Sequence, residues 1–156
     1  MRDDPPGGAE RGPVHVSKVI GHHVPFAELL GLQVTHRGHG VARLEVELRP
    51  DLHNSWASAH GGVVMTVADV ALAVAAMTLD PRARGAVTID LTVSFIGPGK
   101  GRLVAEGRCL RAGNKVSFCE GEIHDASGAL VAKAVGTFMV RHERSAPSDA
   151  VPDGGG

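Results

Sequence analysis

The sequence is poor in the residues that nucleic-acid surfaces and disulfide scaffolds require. Its 156 residues include no tyrosine, one tryptophan and four phenylalanines, too few for a platform that stacks nucleic-acid bases. The formal net charge is −1 at pH 7, so no basic face for nucleic acid or a membrane surface is expected. The two cysteines, Cys109 and Cys119, lack CxxC spacing, and we expect reduced core residues rather than a disulfide or metal site.

Long apolar runs and targeting signals are missing as well. The most apolar segment, Val63–Met77, contains Thr66 and Asp69, so no membrane span is expected. The first residues are acidic and rich in proline and glycine, where a signal peptide has a basic start and an apolar stretch, which favours a cytoplasmic protein. Both ends have the composition of disordered tails, and we predict tails at 1–16 and 142–156 around one domain at 17–141.

The predicted domain begins with a short helix, contains one long helix and ends in strands. Pro25 opens a helix that is expected to end near Gly31, and Val41–Leu48 approximates the period of a strand. Arg49 to Ala59 is a polar loop. Four strand-like segments follow the long helix, separated by glycine-rich turns: Val87–Phe95, Arg102–Arg111, Lys115–His124 and Ala129–Val140.

The long helix is apolar almost all the way round. It runs from Gly62 to Leu79, and Asp80-Pro81 ends it because proline cannot continue the hydrogen-bond ladder. A helix without a polar face is expected to be buried. A strongly curved antiparallel sheet wrapped around one buried central helix satisfies that requirement, and this α+β arrangement is the hotdog fold. Its edge strands favour pairing between two protomers.

Asp69 is the only ionisable residue in this helix. A buried carboxylate carries a desolvation cost of several kcal/mol unless a partner compensates it. One interpretation is a structural carboxylate that accepts hydrogen bonds from a neighbouring strand. The other is a catalytic carboxylate that faces a cleft or a second subunit and acts as base or nucleophile.

The start of the helix offers a second chemical group. His60-Gly61-Gly62 places residues without side chains where the first backbone N–H groups lack intrahelical partners. These donors and the positive end of the helix dipole suit an oxyanion. Gly62 and Asp69 are seven residues apart, on one face and roughly 10 Å apart along the axis. The alternative is that the glycines only permit a tight loop.

The remaining candidates are weaker. Asn54 is either a turn former or a site residue, and His60 is either a structural cap or a site residue. The nine histidines show no HxxxH or HExxH spacing, so no metal is expected. A carboxylate and an oxyanion donor can act on a carbonyl group without a cofactor, and the sequence contains both.

The joint spacing of Asn54, His60-Gly61-Gly62, Ala68-Asp69 and Thr88 resembles the hotdog acyl-CoA thioesterases of the phenylacetate pathway. The segment Val87–Pro98, the helix from Pro25 and the closing strand extend the resemblance from Phe26 to Val140. It implies hydrolysis of an aryl- or medium-chain acyl-CoA by a homodimer or a dimer-of-dimers tetramer.

The resemblance also implies roles for single residues. Asp69 would be the catalytic carboxylate, the Gly61 N–H would polarise the thioester carbonyl, and Asn54 and His60 would hold the reacting groups and shape the loop. Thr88 would come from the other chain to position water. Gly62 and four cations would bind substrate and the CoA phosphates: Lys100, Arg102, Arg111 and Lys115.

Two other functions are compatible with the same fold. A non-catalytic module that binds acyl-CoA has no need of a carboxylate in the helix, and a hotdog enoyl-CoA hydratase uses an acid in the loop that enters the helix. Asp69 lies well inside the helix and favours the thioesterase. For the shared site, Val87, Ile89 and Leu91 are expected to face the protomer's own helix and Thr88 to point away from it.

Overall fold

One antiparallel sheet and one long helix make up most of the chain. The computed structural model describes residues 12–142. The sheet has seven strands in the order β1-β2-β3-β5-β6-β7-β4, and it curls around helix α3. The predicted hotdog fold is thereby confirmed. The strands are β1 Val14–His15, β2 Gln33–Gly38, β3 Val41–Glu47, β4 Ala83–Phe95, β5 Arg102–Ala112, β6 Ser117–His124 and β7 Leu130–His142; the helices are α1 Val16–Ile20, α2 Pro25–Leu30 and α3 Gly61–Met77.

Helix α3 lies directly on the sheet because small residues allow a close approach. A Cβ atom built on Gly107 of β5 would lie 2.6 Å from the backbone oxygen of Ala71, so only glycine fits there. Around this contact the helix buries a continuous apolar surface. The helix ends two residues before the predicted Leu79, at Met77, and Thr78 closes it ahead of Asp80-Pro81.

The helix is not enclosed on all sides within one chain, contrary to the prediction. We use the term open face for the stripe of α3 that the sheet leaves uncovered. Met65 on this stripe is 44% exposed, and Asp69 is only partly buried. The residues of the open face are Gly62, Met65, Thr66, Asp69, Val70, Ala73 and Met77. A carboxylate at Asp69 therefore keeps access to solvent in the single chain.

A bulge in β4 reverses the predicted orientation of Thr88. Thr88 pairs with Phe138 and Asp90 with Thr137 of β7, so Ile89 is the extra residue. An inserted residue shifts the alternation by one, and side chains on its two sides exchange faces. Thr88 consequently points to the chain's own α3, whereas Val87 and Ile89 are 45% and 55% exposed. The predicted inward face of β4 is correct only from Leu91 onward.

The folded part begins earlier than the predicted boundary at residue 17. Val14 and His15 pair with β2, and Val16, the first residue of α1, is fully buried. The sequence analysis assigned no structure to β1, α1 or β2. At the other end β7 runs to His142, and the rest of both predicted tails lies outside the described residues.

The two cysteines lie opposite each other on β5 and β6, and both are free thiols. Burial, together with the neighbouring Cys109, raises the pKa of the Cys119 thiol to about 12, so this group stays protonated. Among residues 12–142, no helix has both the length and the apolar character needed to span a bilayer.

Candidate active site

We use the term groove for the exposed boundary between α3 and β4, and Asp69 and Thr88 lie near its middle. The hydroxyl of Thr88 donates a hydrogen bond of 2.6 Å to Oδ1 of Asp69 within the same chain. This short bond orients the carboxyl group, and no hydrogen bond to its second oxygen, Oδ2, is found among residues 12–142. The prediction that Thr88 reaches the Asp69 of another subunit is therefore wrong, and the bulge at Ile89 is the reason.

The groove follows the whole length of α3, because β4 runs beside the helix in the opposite direction. The ring of Phe95, at the end of β4, lies 3.5 Å from the Cβ position of Gly61 at the start of α3. Thr88 contacts Asp69 in the middle of the helix. Ala83 and Arg84, at the start of β4, line one cavity together with Met77 at the end of α3.

The N-terminus of α3 presents one free backbone donor. Nδ1 of His60 accepts the N–H of Gly62 at 3.0 Å, and the carbonyl of His60 accepts the N–H groups of Val63 and Val64. No group within the described residues accepts the N–H of Gly61. Gly61 thus offers a donor at the positive end of the helix. The N–H of Gly62, which was predicted to bind substrate, is already bonded to Nδ1 of His60.

His60 acts as the N-cap of the helix. Because Nδ1 accepts a hydrogen bond, the ring is neutral and carries its proton on Nε2. This contact and the bond from His60 N–H to the carbonyl of Leu52 hold the loop before α3 in one conformation. His60 therefore caps α3 and fixes the preceding loop, and its predicted role in the site stays a prediction.

Asn54 is fully engaged inside the same loop. Its Oδ1 accepts the N–H groups of Trp56 and Ser58, and its Nδ2 donates to Oγ of Ser58 at 3.0 Å and to the carbonyl of Ala59 at 3.4 Å. With these bonds in place, its amide has no donor left for a substrate. In this chain Asn54 shapes the loop that leads to Gly61, in the manner of an Asx turn.

The four predicted phosphate-binding cations do not converge. Arg102 is paired with Glu45 at 3.1 Å and lies 3.8 Å from Glu47. Arg111 and Lys115 flank the β5–β6 turn, and nine residues of β5 place Arg111 about 30 Å from Arg102. Only Lys100 lies near the start of α3, since the adjacent Gly99 accepts the N–H of Ala59. A single CoA molecule on one chain cannot contact all four.

Several residues of the groove escaped the sequence analysis. The sequence analysis gave Phe95 no role in the site, yet it is 55% exposed and its ring lies beside Gly61. Trp56 is 82% exposed at the tip of the loop before the helix. An exposed tryptophan between Asn54 and the HGG segment was the available signal. Within residues 12–142, no group of three or more His, Cys, Asp or Glu side chains is placed to hold a metal ion.

Known proteins match this chain over most of its length. The model of the thioesterase superfamily matches residues 57–132. YigI of Salmonella typhimurium, named a medium/long-chain acyl-CoA thioesterase, is 32% identical over 148 residues, which cover 85% of this chain and 96% of YigI. A Shewanella oneidensis protein described as related to the thioesterase superfamily is 32% identical, with a TM-score of 0.71 over 81% of this chain and 93% of its own.

The PaaI protein of Escherichia coli, from the phenylacetic acid degradation operon, has the same fold. Its TM-score is 0.72 over 80% of this chain and 90% of its own, at 23% identity. The chain belongs to the thioesterase superfamily. It is an enzyme of the class that hydrolyses thioesters, and the resemblance seen in the sequence is confirmed at the level of that superfamily.

Proposed function

We propose that this chain hydrolyses the thioester of medium- and long-chain acyl-CoA, with Asp69 as the catalytic carboxylate. The observation that carries the proposal is the 2.6 Å hydrogen bond from Thr88 to Asp69 in an open groove. A carboxylate oriented by a donor and accessible to solvent is suited to accept a proton from water or to attack a carbonyl carbon. The substrate class is supported by the name of the YigI relatives, which match at 31–32% identity.

The oxyanion of the reaction is assigned to the N–H of Gly61. As the thioester is attacked, negative charge develops on its carbonyl oxygen, and a donor fixed at a helix N-terminus stabilises that charge. The C–S bond then breaks, and the CoA thiolate leaves and takes up a proton. Thr88 keeps its bond to Oδ1 of Asp69, so that Oδ2 carries out the proton transfer or the attack.

Gly61 and Asp69 of one chain are too far apart to serve the same carbonyl. Eight residues separate them, which is about 12 Å along the helix axis. On a single carbonyl group, the hydrogen bond, the C=O bond and the approach distance of the attacking atom add to about 7 Å at most. The Asp69 side chain closes only about two bond lengths of the difference. The Gly61 that completes the site is therefore assigned to a second copy of the chain.

A two-fold dimer of this kind fits the exposed surfaces. β4 ends the sheet and is hydrogen-bonded only to β7, so its thirteen residues leave one edge for pairing with another β4. Exposed Val87 and Ile89 on this strand and Met65 on the open face would be covered. A two-fold axis near Met65 places Gly61 of each chain beside Asp69 of the other, because Met65 lies midway between them.

The decisive experiment measures release of free thiol by the purified protein from a panel of acyl-CoAs. Decanoyl- and palmitoyl-CoA are expected to be the better substrates, and phenylacetyl-CoA tests the aryl substrates that the sequence also implied. Crotonyl-CoA, followed by loss of its enoyl absorbance without thiol release, tests the hydratase. Absence of thiol release from every member of the panel would contradict the proposed function.

A single-turnover reaction in water enriched in ¹⁸O separates the two roles of Asp69. If Asp69 attacks the thioester carbon and water then attacks the Asp69 carbonyl of the mixed anhydride, the first turnover leaves the enzyme's own oxygen in the acid and labels the carboxylate. If Asp69 activates water, the label appears in the product acid in the first turnover. Light scattering at micromolar concentration tests the dimer, and an active monomer would contradict the shared site.

A further inference from the structure

A cavity of about 630 Å³ lies at the far end of the groove, next to the C-terminus of α3. It is enclosed by α1 with the turn after it, by β2, by the last turns of α3 and by the start of β4. None of its residues belongs to the site around Asp69, Thr88 and Gly61. Its wall combines apolar side chains such as Met77 with three cations: Lys18, Arg37 and Arg84.

The cavity is positively charged in a chain whose net charge is −1. Among the residues that the structure describes, Asp80 is the only acidic one in its wall. The oxygens of Asp80 are already bound by the N–H of Arg82 at 2.9 Å and by Nε2 of His142 at 2.7 Å. No carboxylate within the described residues forms an ion pair with Lys18 or Arg37, and Arg37 makes one hydrogen bond, to the carbonyl of Val19. The two side chains retain donors for an anionic ligand.

Two independent measures place the cavity at a similar distance from the catalytic pair. Met77 is eight residues from Asp69 along α3, which is about 12 Å. Arg84 is four residues from Thr88 along β4, which is about 13 Å. In CoA, thirteen bonds separate the sulfur from the nearest phosphorus, about 15 Å at the advance per bond of an extended chain. A thioester held at Asp69 therefore brings its phosphates to the cavity.

We propose that the cavity of Lys18, Arg37 and Arg84 binds the phosphate groups of the CoA part of the substrate. This inference rests on the proposed acyl-CoA thioesterase activity, and it replaces the four cations named from the sequence. Lys18 and Arg37 are binding residues that act on affinity and not on the chemical step. Their removal is expected to raise KM and to leave kcat within about twofold.

The test compares two substrates that differ only in the nucleotide part: decanoyl-CoA and the decanoyl thioester of N-acetylcysteamine. Lys18→Gln and Arg37→Gln are expected to raise KM for decanoyl-CoA about tenfold each and to change kcat/KM for the short thioester less than twofold. Arg108→Gln, on the outer face of the sheet, is the matched control of equal charge change and should alter neither. Equal loss on both substrates, or no loss on either, would overturn the proposal.

Direct binding of CoA separates this proposal from the proposed function. Calorimetry with free CoA needs no turnover, so the cavity is tested even if no thioester is hydrolysed. Wild-type protein is expected to bind CoA, and Lys18→Gln to bind it about tenfold more weakly at unchanged melting temperature. If the wild type binds dephospho-CoA more weakly than CoA, the cavity holds the 3′-phosphate. If it binds both equally, the cavity holds the diphosphate. Undetectable CoA binding, or equal binding by both variants and the wild type, would refute the inference.

Discussion

Replacing Gly61 with proline removes the assigned oxyanion donor and little else. Proline has no N–H, and the first position of a helix is where it is best tolerated. The residue before a proline must be extended, and His60 already has φ −63° and ψ 137°. The N–H that is lost has no partner within the described residues, so the helix gives up no hydrogen bond. Melting temperature is therefore expected to stay close to that of the wild type.

The size of the effect follows from the loss of one oxyanion donor. Removal of such a donor lowers kcat by about 10²- to 10³-fold in enzymes where it has been isolated. Gly61→Ala is the matched control, because alanine keeps the N–H and its Cβ would meet only the Phe95 ring at 3.5 Å, an ordinary contact. The ratio of kcat for the two variants on decanoyl-CoA isolates the change at the backbone nitrogen.

The outcome is decisive in either direction. A drop of two to three orders of magnitude for Gly61→Pro, with Gly61→Ala within a few-fold of the wild type, supports the assignment. If Gly61→Pro retains more than a tenth of the kcat of Gly61→Ala at the same melting temperature, the N–H of Gly61 does not stabilise the oxyanion. Equal, severe losses in both variants would instead indicate that the loop tolerates no side chain at this position.

Two further predictions concern carboxylates. Asp69→Asn preserves the shape of the side chain and the acceptor for Thr88, and it should lower kcat at least about 10²-fold with folding intact; retention of a tenth of the activity would contradict the catalytic role. Asp80 should stabilise the fold in a pH-dependent way. Hydrogen bonds from the Arg82 backbone and from His142 lower its pKa from 3.8 to about 2, so its contribution is complete above about pH 4 and is lost as the pH falls through 2. The melting temperature of Asp80→Asn should therefore depend less on pH than that of the wild type between pH 5 and 2, and parallel curves would refute this.

The central helix and the start of the site were predictable because their signals are local. The apolar run that ends at Asp80-Pro81 defines α3 to within two residues at each end. The turns at Ala112-Gly113-Asn114 and around Ser127-Gly128 separate the strands as expected from their turn residues. Asp69 stood out as a lone charge in an apolar helix, and its position by the groove follows from that pattern.

The orientation of Thr88 was not predictable, because the sequence of β4 alternates without interruption. A bulge reverses the two faces, yet Val87 and Ile89 are apolar even though they point outward. Their apolar character has a different origin from that of Leu91 and Val93, which pack on the chain's own core. In the proposed dimer the outward pair is covered by the second subunit. Single-chain alternation cannot separate residues buried by the fold from residues buried by a partner.

The cationic cavity was missed for a related reason. Lys18, Arg37 and Arg84 belong to three segments that are far apart in the sequence, and α1 and β2, which carry the first two, are too short to give a periodic signal. The cations proposed from the sequence lie within one stretch of sixteen residues, but the eleven-residue strand β5 in that stretch separates its two ends by about 30 Å. Residues at the two ends of one strand therefore lie far apart in space, although they are close in sequence. The segments of Lys18, Arg37 and Arg84 are distant in sequence, and the fold brings them to one cavity.

Mixed dimers test the division of the site between subunits. Asp69→Asn and Gly61→Pro are each expected to be inactive, and they are unfolded and refolded together. If Gly61 of one chain serves Asp69 of the other, one site of every mixed dimer carries both lesions and the other carries none. Random assortment then restores up to about a quarter of the wild-type activity. No restoration in mixed dimers verified by mass would place both groups in one chain.

The same refolding with Asp69→Asn and Thr88→Val provides the matched control. Thr88 and Asp69 contact each other within one chain at 2.6 Å, so each site of a mixed dimer receives this pair from a single subunit. Every site then carries one lesion, and no activity above that of the two variants alone should return. Recovery in this control would mean that the pair is exchanged between subunits, and the groove described for the single chain would not be the active site. If activity returns in the mixture with Gly61→Pro and not in the mixture with Thr88→Val, each active site is shared between subunits. One subunit then supplies the oxyanion donor and the other the carboxylate.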